Sequence, residues 1–130
     1  MTSAVVAVAE WHEALNAGDT DRLVNIVSDD VEVGGPRGSG RGIELLREWV
    51  DRAGIHLEPL RTFHRGDTVV VEQRATWRSP ETGQSSNPIV VASVFTVHDG
   101  RIHAVVRHDD IETALSLAGL NVADEVEEGV

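Results

Sequence analysis

Arg107 is the residue whose chemistry is most constrained by its neighbours. In the run RIHAVVRHDD at 101–110, alternation puts Ile102, Ala104, Val106 and His108 on one face. The opposite face carries His103, Val105, Arg107 and Asp109. If that second face looks into a core, the guanidinium keeps its charge and requires either a carboxylate or an anionic ligand. Asp30, Glu32 and Asp109 are the carboxylates that could serve. Gln73 poses a similar question. It shares the apolar face of residues 68–78 with Val69, Val71, Ala75 and Trp77, whereas Glu72 and Arg74 lie on the other side, facing solvent or a second subunit. An amide buried there unpaired costs roughly 2–7 kcal/mol, so Gln73 requires an internal partner or a ligand.

General acid–base chemistry needs a titrating group within reach of the substrate and a pKa near the working pH. The candidates are Asp109, Asp30, His12 and His103. A carboxylate in an apolar cavity is pushed up toward that range, and contact with Arg107 would pull it down again. The six histidines do not gather into a ligand set. His98 and His103 can meet across a turn, but two imidazoles are half a metal site. Neither a metal nor another cofactor is expected.

Composition removes several classes of activity. The chain has 130 residues and no Cys, which excludes thiol catalysis, Cys-ligated zinc and disulfides. All 11 basic residues are Arg, so a Schiff-base lysine and a P-loop are also excluded. A formal charge of −11 repels nucleic acid. No run is long and apolar enough for a membrane span, and no signal peptide is evident, so a cytoplasmic address is expected.

The elements that must position these groups are helical first and extended after. Ser3 is placed to cap a helix with Val5, Val8, Trp11, His12 and Leu15 at helical spacing, stopped by Gly18. A shorter helix is expected from Asp19 or Thr20 to about Asp29-Asp30, then a short strand through Val31 and Val33. The run GGPRGSGRG at 34–42 fits neither nucleotide fingerprint and reads as a loop. A third helix over 43–53 presents Leu45, Leu46, Trp49 and Val50. Strands follow at 56–65, 68–78, 89–97 and 102–108. Asp99-Gly100 is a strong hairpin signal, and a last helix over 111–118 ends at Gly119. Strand 89–97 is apolar on both faces, as a central strand covered on both sides would be. The segregation of helices and strands means α+β.

The order of these segments closely resembles the NTF2-like superfamily, in particular its SnoaL-like, polyketide-cyclase-like branch. The resemblance is carried by EWHEALNAGDTDRL at 10–23, SDDVEV at 28–33, GIELLREW at 42–49, VASVFTVHDGRI at 91–102 and RHDDIETALSLAGL at 107–120. It implies a cone-shaped fold over 1–120, with N-terminal helices packed on a strongly curved antiparallel or mixed sheet that encloses a cavity. An acidic, disordered tail is expected at 121–130. The catalytic sets of the active relatives are not retained at the matching positions. Ketosteroid isomerases would need a carboxylate at Gly35, a tyrosine at Trp11 and an aspartic acid at Ser93. Limonene-epoxide hydrolases would need arginine at Gln73 and aspartates at Ala75 and Arg107, and SnoaL-type cyclases would need aspartate at Arg107. Scytalone-dehydratase-like chemistry needs tyrosines, and the chain has none.

Two readings follow. One is a protein that binds a small, largely apolar ligand, lined by Trp11, Trp49, Gln73, Trp77, Ser93 and Phe95, with Arg107 meeting an acidic or carbonyl group. The other is a lyase, isomerase or cyclase with a non-standard base. A homodimer through the sheet is expected, because strands 90–97 and 102–106 carry more apolar surface than the few helices can cover.

Overall fold

The computed structural model describes residues 4–35, 38–78 and 82–126, the side chains of 51–53 excepted. The chain runs α1 (Ala4–Ala17), α2 (Thr20–Asn25), β1 (Val27–Gly35), β2 (Gly38–Arg41), α3 (Ile43–Ala53), β3 (Ile55–Arg65), β4 (Thr68–Trp77), β5 (Ile89–His98), β6 (Arg101–His108) and α4 (Ile111–Ala118). The α+β class and the helix-then-strand order are those expected. Ser3, the expected cap of α1, lies outside the described residues.

Two boundaries differ from expectation for the same reason. The second helix stops at Asn25, not near Asp29-Asp30, because β1 begins at Val27 and pairs in parallel with β6. The Ile102 N–H donates to the Ile26 carbonyl at 2.9 Å, so hydrogen bonding to β6 already begins at the turn that ends the helix. Part of the expected Gly-rich loop is strand as well. β2 pairs antiparallel with β1, Gly34 opposite Ser39 and Gly35 opposite Gly38. Long-range pairing decides both cases, and helical spacing within one segment does not register it.

The six strands form one mixed sheet in the order β2-β1-β6-β5-β4-β3. This corrects the expected strongly curved sheet enclosing a cavity. The sheet is neither strongly curled nor closed: β2 and β3 are opposite edges with no pairing between them. Closure would require those edges to meet. β2 has only four residues, Gly-Ser-Gly-Arg, and Pro59 removes one donor from β3. Alternation indicates which face of a strand is buried but carries no information on curvature between strands.

Both faces of the sheet are covered. α1 and α3 pack on one face over Trp11, Leu46, Val69, Val71, Phe95 and Ile102, all fully buried. α4 packs on the other, where Ala114 and Leu115 meet Phe63, Val70 and Ala92. The double-sided apolar character of β5 is therefore used in part within the chain. Ile89 and Val90 remain half exposed.

The edge strand β3 is managed by side chains and by the segment after α4. The Asn16 amide pairs with the backbone of Leu57 in both directions, at 2.8 and 2.9 Å. Residues 121–126, expected to be a disordered tail, dock on β3. Asn121 and Asp124 form a capping box around a 3-10 turn, Val126 N–H donates to the Thr62 carbonyl at 2.7 Å, and Arg61 and Arg65 hold Glu125 and Asp124. A run with few apolar residues is ordered here by edge hydrogen bonds and charge. Residues 127–130 lie outside the described set.

Candidate functional site

On the α1/α3 face, an open pocket of about 530 Å³ lies between the helices, the β1–β2 hairpin and the sheet. That volume suits a small molecule. Trp11 from α1 and Trp49 from α3 form one wall, their rings stacked at 6.4 Å with 20° between planes. Leu45, Ile55, Leu57 and Val105 add apolar surface, and Gly34, Gly35, Gly38 and Gly40 form the hairpin side.

Arg107 lines this pocket. Its guanidinium carbon sits 5.6 Å from the centre of the Trp77 ring, and its nitrogens lie against Gly35. It forms no ion pair with a carboxylate among the described residues. Asp30 and Asp109 are exposed and do not line the pocket, and Glu32 pairs with Arg41 at 3.2 Å. A cation against an apolar wall, stacked on an aromatic ring but without a counter-charge, is a group prepared for an anion.

The amide of Gln73 has its partners inside the protein. Ser93 Oγ donates to Gln73 Oε1 at 2.8 Å, and Gln73 Nε2 donates to His12 Nε2 at 2.8 Å. His12 Nδ1 in turn donates to the Val8 carbonyl at 2.8 Å. All three side chains are buried. Desolvation lowers the His12 pKa to about 4 despite the Val8 hydrogen bond, so the imidazole is neutral at neutral pH. Of the chain's members, only Ser93 reaches the pocket. The Trp11 indole N–H is buried without a partner.

The structure thus brings Trp11, Trp49, Ser93 and Arg107 of the expected ligand set to one pocket. Gln73, Trp77 and Phe95 stand behind it. Trp77 lies beneath the Arg107 guanidinium, and Phe95 packs edge-on to Trp11 at 5.1 Å. Of the candidate bases, His12 is buried and both its nitrogens are engaged. His103 is displaced by a bulge: Val97 pairs with Ile102 and Thr96 with Ala104, so Ile102 turns inward and His103 does not. His103 instead meets His98 across the turn, ring centres 5.9 Å apart. Among the described residues no three His, Cys, Asp or Glu side chains gather as a metal site. Sequence reasoning missed the hairpin wall. The density of glycines at 34–42 was its only local signal.

A model of the SnoaL-like domain matches residues 8–105. The chain belongs to the SnoaL-like family. Solved structures agree on the NTF2-like fold. An NTF2-like protein of unknown function from Cytophaga hutchinsonii is 16% identical, with a TM-score of 0.73 over 87% of this chain and 95% of that one. A candidate polyketide cyclase from Sinorhizobium meliloti is 28% identical, with a TM-score of 0.65 over 78% and 92%. TerC, co-crystallised with polyporic acid, is 18% identical, with a TM-score of 0.71 over 90% and 96%. No curated protein matches. In this SnoaL-like chain Trp11, Gly35, Ser93 and Arg107 all line the pocket.

Proposed function

We propose that this SnoaL-like protein binds a small, largely apolar molecule carrying an acidic or carbonyl group, which Arg107 meets. The carrying observation is the guanidinium in the pocket wall without a carboxylate partner among the described residues. The TerC complex with polyporic acid is compatible with this reading, since a protein of the same fold holds an acid. The catalytic alternative has less support. Asp30, Asp109 and His103 do not line the pocket, and a neutral His12 with both nitrogens engaged has no free site for a substrate proton.

The test uses tryptophan fluorescence, because Trp11, Trp49 and Trp77 all lie at or beneath the site. Octanoate should quench or shift the emission saturably, and octan-1-ol should bind more weakly by roughly 10-fold or more, the worth of a charge-assisted hydrogen bond. Equal affinity for acid and alcohol would refute the reading. As part of the same proposal, two copies associate through the sheet, where Ile89 and Val90 at the start of β5 are half exposed. A cytoplasmic location belongs to the same proposal. No helix among the described residues is long and apolar enough to cross a membrane.

A further inference from the structure

We infer that the preferred ligand is a hydroxy acid: its carboxylate sits on Arg107 and its hydroxyl donates to Ser93. This rests on the Arg107 reading above and adds to it the class of molecule. The argument begins at the Val8 carbonyl, which can only accept a hydrogen bond. His12 Nδ1, 2.8 Å away, must therefore carry the proton. A neutral imidazole has a single N–H, so Nε2 is an acceptor. Burial keeps the ring neutral, with its pKa held down to about 4.

The direction of every remaining bond follows. Gln73 must turn its amide nitrogen to His12 Nε2, which leaves Oε1 toward Ser93. Ser93 must then donate its only proton to that oxygen, and its lone pairs are what it can offer the pocket. Were Ser93 to turn and donate to a ligand, the buried Gln73 Oε1 would lose its donor, an unfavourable exchange.

Arg107 has the opposite demand, because a guanidinium only donates. Ser93 and Arg107 are direct partners in the β5–β6 register, so their side chains leave the sheet side by side on one face. An apolar acid with a hydroxyl a few bonds from its carboxylate satisfies both demands. A ketone or ether oxygen against Ser93 would set lone pair against lone pair.

The experiment is a fluorescence titration of the wild-type protein and Ser93→Ala with four probes: octanoate, 2-hydroxyoctanoate, 3-hydroxyoctanoate and 3-methoxyoctanoate. At least one hydroxy acid should bind the wild type about fivefold more tightly than octanoate, and the methoxy acid should bind no better than octanoate. Ser93→Ala should erase the preference, so that on this variant the best hydroxy acid and octanoate bind within about twofold of each other. If octanoate binds but no hydroxy acid is favoured, or the methoxy acid equals the best hydroxy acid, this inference is overturned and the Arg107 reading stands. If no acid binds the wild type, both fall together. Should Ser93→Ala not fold, nitrogen-15 spectra of the wild-type histidines decide the polarity: His12 protonated at Nδ1 is expected, and protonation at Nε2 overturns it.

Discussion

At the scale of single residues, His12 and Arg107 make opposite uses of partial desolvation. His12 gives up its charge. Its folded pKa of about 4 lies below the ordinary value of 6.5, so between those values the unfolded chain binds the extra proton. Stability from this residue is therefore complete above about pH 7 and is lost as pH falls through 6.5 toward 4, on the order of 3 kcal/mol in all. Urea unfolding at pH 7 and pH 4 should show that loss, and His12→Gln should lose less over the same interval. Arg107 cannot give up its charge and, among the described residues, has no carboxylate to offset its burial. Arg107→Leu is thus expected to leave the unfolding free energy within about 0.5 kcal/mol, or to raise it. A structural ion pair would instead lose roughly 3–5 kcal/mol on the same change.

At the scale of elements, the β1–β2 hairpin carries the main prediction. A Cβ on Gly34 would stand 2.7 Å from Ser39 Cβ and 3.4 Å from Ser39 Cα, its own register partner, so backbone would have to move. A Cβ on Gly40 would meet the end of the Leu45 side chain, which can rotate away. Gly34→Ala should cost roughly 1–3 kcal/mol in urea unfolding, and Gly40→Ala distinctly less. Gly40→Ala should also perturb ligand binding, because Leu45 lines the pocket. This hairpin is also where the sequence was least readable. The partner of β1 is a four-residue strand of glycine, serine and arginine with no alternation of its own. At two turns local signals sufficed. Asp99 and Gly100 both adopt positive φ, as a tight antiparallel hairpin requires, and Asp110 caps α4 at 2.7 Å from Thr113 N. Strand parity put Gln73 on the apolar face of its strand and grouped Val105 with Arg107, and in the structure these residues and Ser93 lie on the α1/α3 side. It failed at His103, because a bulge adds one residue to one strand and leaves no mark in the apolar pattern.

At the scale of the whole molecule, an acidic chain presents a cationic pocket. The formal charge is −11, yet among the described residues Arg107 is the one charged side chain lining the pocket, beside apolar side chains, glycines and two serines. The general field repels anions, so the local group must supply the attraction, and association with an acid should quicken as salt screens the field. Stopped-flow mixing with octanoate at low and high ionic strength would read that sign. The open sheet leaves Ile89 and Val90 half exposed on β5, and sedimentation at micromolar protein should show a two-chain species. A single-chain species alone would remove the proposed dimer without touching the pocket. The central claim is that Arg107 is the anion-binding group of this SnoaL-like pocket, and a crystal structure of the octanoate complex tests it most directly. The account predicts the carboxylate within about 3 Å of the Arg107 guanidinium and the alkyl chain along Trp11 and Trp49. Octanoate bound elsewhere, or Arg107 turned onto a carboxylate of its own chain, would contradict it.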